Sequence, residues 1–349
     1  MSPVTGVADR PLRRRRIGVV NVARRVRIDP FLVLLLVTVG IAALIPARGA
    51  AVGAVDVATT VAIGLLFFLY GARLSTREAL HGLRHWRLHS TVLAATFVLF
   101  PLLGLAAGLL PGWLLPVPLA TGVLFLCCLP STVQSSIAFT SLARGNVPAA
   151  VVAASLSNVL GVVVTPLLAA LLLSTQGGFS ASSLLDIGLR LLAPFVAGQL
   201  ARPLIGKWVA AHRTQLLVVD RGSILLVVYS AFSAGMVAGT WRELTGLSLL
   251  VLLGVNVVLL AIVLAVTWWG ARGLGFDAAD RITILFCGSK KSLASGLPMA
   301  GVLFAGHAVA LVVLPLMLFH QIQLMVCAAV AARLARRREV PRGEPVAAS

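Results

Sequence analysis

Acidic residues are scarce in this sequence. It carries 11 Asp and Glu against 29 Lys and Arg in 349 residues, and only 11% of it is charged. About a quarter of an ordinary soluble protein is charged, so a soluble globular domain is excluded. Cysteine is sparse as well: Cys127, Cys128, Cys287 and Cys327 all fall inside apolar segments. They form neither a disulfide framework nor a metal-ligand spacing, and read as packing residues. The apolar segments also lack a Ser/His pairing, an aspartate dyad or a zinc motif, which argues against an enzyme. Lysine is the rarest cation, with Lys207, Lys290 and Lys291 set against 26 arginines.

What is present is apolar. Hydrophobic residues make up 59% of the chain and the mean hydropathy is +1.01. Apolar stretches near 20 residues recur along the length, the pattern of a helical membrane protein rather than a barrel. Ten spans are expected, at about 29–47, 55–74, 88–110, 117–143, 146–174, 182–203, 215–239, 247–271, 279–305 and 307–333. The basic start followed by an apolar stretch also resembles a signal peptide. Its length and weak cleavage signal favour a first span instead. Basic residues settle the expected orientation. Of the 29, 23 fall in segments assigned to the cytoplasm, whereas the outside connections hold only Arg48 and Arg242. Both termini are then cytoplasmic, as basic tails at 1–28 and 334–349. This placement makes the +18 charge a topology signal, with lipid headgroups rather than nucleic acid as the contact.

Lys290 and Lys291 stand side by side within the apolar segment Ile282 to Ala305. A charge at the centre of a membrane helix costs roughly 2.5–3.5 kcal/mol on insertion scales, so it marks a functional pathway. Five spans followed by five put the halves 29–174 and 182–333 in opposite orientation, the arrangement of inverted-repeat transporters. The fourth and ninth spans are the odd ones in their halves. Pro130 interrupts one and Gly288 the other, each amid hydroxyl, amide or ammonium groups. Freed backbone groups cannot face lipid, so such breaks line a cavity or are covered by protein. Cavity lining is the expectation here: two broken helices meeting midway, with the amines facing a wet, electropositive pocket. Amines turned away from any solvent-reachable space, or an unbroken helix running through them, would count against an anion carrier. Gly288-Ser-Lys-Lys-Ser292 has only a faint likeness to a phosphate loop, since the full glycine spacing is missing.

At these segments the chain resembles the bile acid:sodium symporter family, in particular the branch of the seventh vertebrate member of solute carrier family ten. The likeness is carried by Phe67-Phe-Leu-Tyr-Gly-Ala-Arg-Leu-Ser75, Trp86-Arg-Leu-His89 and Leu129-Pro-Ser-Thr-Val-Gln-Ser-Ser136 with Asn146 and Asn158. Phe286-Cys-Gly-Ser-Lys-Lys-Ser-Leu-Ala-Ser-Gly-Leu-Pro-Met299 completes it. The resemblance implies an all-α membrane protein of ten helices in two inverted five-helix repeats. Helices four and nine would be broken and crossing, and a core of spans three to five and eight to ten would move against a panel of the others. It also implies a small organic anion as substrate, commonly carried with sodium. The ninth-span break here offers no carboxylate, and two ammonium groups repel a hard cation that wants oxygen ligands. Sodium is therefore disfavoured at that position, and sodium or a proton remain the candidate coupling ions.

The expected site draws Ser131, Thr132, Gln134, Ser135 and Ser136 from one break, Ser289, Lys290, Lys291, Ser292 and Ser295 from the other, and Asn158 from span five. Ser155, His320, Gln321 and Gln323 are outlying members, equally readable as interhelical hydrogen bonds. One lysine would face the substrate route while the other replaces the coupling cation, its protonation providing the coupling. No cofactor or metal is expected. Arg190, Asp220 and Arg221 read as a structural ion pair or as snorkelling side chains. The rival reading is a non-pumping, channel-like or regulatory membrane protein. The sequence leaves the solute and the oligomeric state open.

Overall fold

The computed structural model describes residues 30–73, 85–173, 181–304 and 309–337. Among them every regular element is a helix. In chain order these are α1 Pro30–Leu44, α2 Ala50–Arg73 and α3 Trp86–Ala94, then a π-helical segment Ala95–Leu99 and α4 Phe100–Ala107. Next come α5 Val117–Cys128, α6 Gln134–Leu142, α7 Val147–Leu173, α8 Ala181–Ala211 and α9 Arg213–Ala238. A 3-10 turn, Thr240–Glu243, leads to α10 Gly246–Gly273, α11 Ala278–Gly288, α12 Leu293–Leu303 and α13 Val309–Arg337. Among the described residues, six stretches are long and apolar enough to cross a membrane: α2, α3 through α4, α7, α9, α10 and α13. Large apolar side chains such as Leu44, Leu171, Leu204 and Trp269 point outward. So much exposed hydrocarbon suits lipid rather than water. This is a multi-pass membrane protein.

Helix ends fall near the limits read from hydropathy, with instructive exceptions. The chain turns at Gly49, which has φ +58°, so α2 starts five residues earlier than expected. α8 continues through Pro194 and Pro203 to Ala211, past the expected end near 203. Proline does not end a helix when neighbouring groups can satisfy the freed carbonyls. Arg77, Arg84, the N-terminal basic tail, Arg338 and Arg342 lie outside the described residues.

Two features position the site. First, α2 and α8 meet backbone to backbone. A Cβ at Gly71 would strike the Phe195 carbonyl, and one at Gly198 the Phe68 carbonyl. Second, the turn before α7 is clasped to the start of α11. Asn146 donates from Nδ2 to Asp280 at 2.8 Å, and its carbonyl accepts from Thr283 Oγ1 at 3.0 Å. Asp277 caps α11 by accepting from the Asp280 N–H at 2.7 Å. The clasp holds the beginning of the ninth-span segment beside the end of the fourth.

Candidate functional site

Where α5 stops at Cys128, five consecutive carbonyls lose their helical donors, and each finds a substitute. Ser131 N–H, which would serve Cys127 in a continuous helix, turns to Ser157 Oγ at 3.0 Å. The Cys127 carbonyl instead accepts from Lys291 Nζ at 2.7 Å. Cys128 accepts from Thr165 Oγ1 at 2.8 Å and Leu129 again from Lys291 Nζ at 2.7 Å. Pro130 accepts from the Ser292 N–H at 2.9 Å, and Ser131 from Asn158 Nδ2 at 2.7 Å. An unpaired buried carbonyl is costly, and here the break is closed without water.

The opposite break reciprocates. After α11, the Cys287 carbonyl accepts from Ser131 Oγ at 2.6 Å and Phe286 from Ser136 Oγ at 3.1 Å. Gln323 of α13 pairs with both backbone groups of Lys291: Oε1 accepts its N–H and Nε2 donates to its carbonyl, each at 2.9 Å. His320 Nδ1 lies 2.9 Å from the same Nε2. Ser292 caps α12 by accepting from the Ser295 N–H at 3.2 Å, and Ser295 Oγ donates to Asn158 Oδ1 at 2.9 Å. Thr132 Oγ1 lies 2.7 Å from Ser135 Oγ and 3.1 Å from Ser136 Oγ.

Lys291 Nζ has a third carbonyl ligand, Thr96, at 2.8 Å. The local sequence explains why that oxygen is free. Within the π-helical segment, Phe100 N–H bonds the Ala95 carbonyl, five residues back. The next donor in that register would come from residue 101, which is proline and has none. Thr96 is thus left without a backbone donor, and the ammonium takes the place. The Phe100 ring covers the same amine with its centroid 4.1 Å away. Lys290 points elsewhere. Its Nζ donates to the Ser135 carbonyl at 2.8 Å and stacks on Phe139 at 3.7 Å from the centroid, with Phe286 at 5.6 Å. An ammonium over an aromatic face is attracted by the ring quadrupole.

This geometry revises the expectation of a wet, electropositive pocket. Lys290 and Lys291 are both 0% exposed, and neither amine borders solvent in this conformation. Three backbone oxygens enclose the Lys291 ammonium, whereas Lys290 rests on one carbonyl and two aromatic rings. Ser131, Thr132, Ser136, Ser289, Ser292, Ser295 and Gln323 are likewise buried, while Ser135, Asn158 and His320 are half-buried. Gln134 opens α6 with its side chain exposed. Ser155 and Gln321 make no bond into the network, and Gln321 Oε1 is buried without a partner.

Ser157, Thr96 and Phe100 were not among the expected site residues. Ser157, Gly161 and Thr165 recur every four residues and form the face of α7 against the break, where a Cβ on Gly161 would come within 2.6 Å of Pro130. That spacing was the available signal. For Thr96 it was Pro101. Asp220 also differs from expectation: its ion-pair partner is Arg73 of α2, not Arg190 or Arg221. Arg221 lies over the Phe31 ring.

Residues 29–336 match the model of the SBF-like CPA transporter family. The chain belongs to that family. An uncharacterized protein of Pseudomonas aeruginosa is 55% identical over 313 residues, 89% of this chain and 94% of its own. YfeH of Escherichia coli, named as a candidate symporter, is 50% identical over 317 residues, with 89% and 94% covered. Sodium/bile acid cotransporter 7 of Rattus norvegicus is 30% identical over 314 residues, with 86% and 91% covered. The protein is a transporter of this family.

Proposed function

We propose that the chain is a secondary active transporter that moves a small organic anion by alternating access, in the cytoplasmic membrane of a bacterium. The observation that carries this reading is the Lys291 ammonium, held by three backbone carbonyls from two separate spans. Converging carbonyl oxygens are what a monovalent cation requires. A tethered ammonium therefore occupies ground that a free coupling ion would need. Sodium coupling through this position is disfavoured, and gain or loss of the amine proton is the natural substitute. Neither amine has an acidic partner; the ion pair among the described residues is Arg73 with Asp220. Two buried positive charges without a carboxylate call for a counter-charge, which an anionic solute would bring. With both amines enclosed, they act on that solute through their field, and contact would require the breaks to part.

Ten spans in two inverted five-helix repeats, with cytoplasmic termini and a core moving against a panel, complete the proposal. A shift of 159 residues carries the start of α6, Gln134, onto the start of α12, Leu293. The same shift brings the end of α5 within one residue of the end of α11. The clasp at Asn146 would let both broken spans move together. The enclosed amines, Lys291 with three carbonyl partners, also suit a second reading, a non-pumping channel-like or regulatory membrane protein in which they only brace the fold.

The test is solid-supported-membrane electrophysiology and tracer uptake on purified protein in liposomes, screening organic anions with and without sodium and pH gradients. Saturable uptake with counterflow, abolished in Lys290→Met and Lys291→Met, is the expected result. Undiminished transport by both variants would end the proposal, and neither uptake nor conductance would favour the regulator.

A further inference from the structure

Arg73 is the last residue of α2 and bonds Asp220 of α9 through Nη1 alone. Its Nε and Nη2 are buried and have no partner, and neither does Asp220 Oδ1. A guanidinium presents Nε–H and the adjacent Nη2–H along one edge. That edge takes both oxygens of a carboxylate in two parallel hydrogen bonds. The ion pair here uses the other nitrogen and leaves this edge empty. A purely structural Arg–Asp pair would gain by rotating into the two-point arrangement, so an empty edge is unusual for a brace.

The surroundings connect this edge to the breaks. Tyr70 lies three residues before Arg73 on the same face of α2. Its hydroxyl lies 3.5 Å from the Ala294 carbonyl in the first turn of α12. The next residue, Ser295, donates to Asn158, which in turn donates to the Ser131 carbonyl. These groups lead from Tyr70 to the fourth-span break, with Arg73 one helical turn away on the same face of α2. The Arg73 side chain is 27% exposed and that of Asp220 11%, but the Nε–Nη2 edge itself is enclosed, so a solute reaches it only when the helices around it part.

We infer that the Nε–Nη2 edge of Arg73 is the anchoring point for the anionic group of the solute, and that this group is a carboxylate. Asp220 holds the guanidinium in place and competes for it while the site is empty. The lysines then set the potential along the route, and Arg73 makes the contact. The assignment rests on the transport reading for its role but not for its test.

That test is equilibrium binding to the full-length purified protein, read as thermal stabilisation and by titration calorimetry. The probes are a series of monocarboxylates (lactate, pantoate, benzoate, phenylacetate) and the matched uncharged amides. At least one carboxylate should bind saturably while its amide does not. Arg73→Gln should abolish this binding, and Arg73→Lys should weaken it at least tenfold, because an ammonium cannot fork. Asp220→Asn should instead tighten it, since the internal competitor loses its charge. A merely structural pair predicts that the variants lose thermal stability while affinity is unmoved. If Arg73→Gln fails to fold, the Lys and Asp220→Asn variants still report opposite signs. Absence of carboxylate binding to the wild type, or unchanged affinity in Arg73→Lys and Asp220→Asn, would overturn the assignment. Uptake surviving Arg73→Gln would refute it with transport intact. Binding that requires Arg73 but yields no uptake would refute the transport reading instead.

Discussion

Gln323 serves Lys291 through its backbone and not through its charge. Its amide replaces the two main-chain partners lost where α11 ends. Gln323→Leu would leave a buried N–H and a buried carbonyl unpaired, at about 1–3 kcal/mol each. A clear fall in the melting temperature of the purified protein is the expected outcome, measured by scanning fluorimetry in detergent. Gly161 poses a different residue-scale constraint. Even a methyl group there would overlap the Pro130 ring, and overpacking of this kind costs about 1–3 kcal/mol. Gly161→Ala should therefore lower the melting temperature, whereas Gly254→Ala, with nothing within 4 Å, should not.

At the scale of the element, the π-helical segment Ala95–Leu99 and Pro101 act as one device. Together they leave the Thr96 carbonyl to an amine almost two hundred residues away. Pro101→Ala restores a backbone donor and permits an ordinary helical register, in which Thr96 bonds Phe100. The variant should melt no lower than the wild type, because an interior proline is itself costly. Transport should nevertheless fall, since one hydrogen bond to a charged group contributes about 1.5–3 kcal/mol, about tenfold or more in an equilibrium. Uptake and melting curves on the same preparation check the pair of outcomes. The breaks at Pro130 and Gly288 were legible in the sequence because helix-breaking and polar residues coincide there. The π segment was not, since Pro101 alone does not say whether a helix kinks, ends or widens. α8 makes the complementary point, passing through Pro203 where its neighbours allow it. Ser157 was passed over for Ser155, although its four-residue spacing to Gly161 and Thr165 marked the face that packs on Pro130.

For the whole molecule, hydropathy conveyed the long apolar helices and close estimates of their ends, because lipid imposes a length that any sequence must meet. Packing between helices was less legible. The backbone contact of α2 with α8 runs through Gly71 and Gly198. Nothing local distinguishes those two among 32 glycines; their partners are remote in the chain. Gly198→Ala should separate α2 from α8 and cost at least about 1–3 kcal/mol, seen as a lower melting temperature and earlier proteolysis. The pairing of Arg73 with Asp220 was hidden for the same reason, as neither helix carries a periodic sign of the other. The largest consequence comes from the amine on Thr96, Cys127 and Leu129. A charge bonded to its own polypeptide cannot be dialysed away, titrated out by chelators or exhausted by a collapsed salt gradient. While it holds its proton, the amine is an electrical load built into the chain. Motion of that load within the bilayer field would register as a transient displacement current that integrates to zero, even when no inorganic ion crosses.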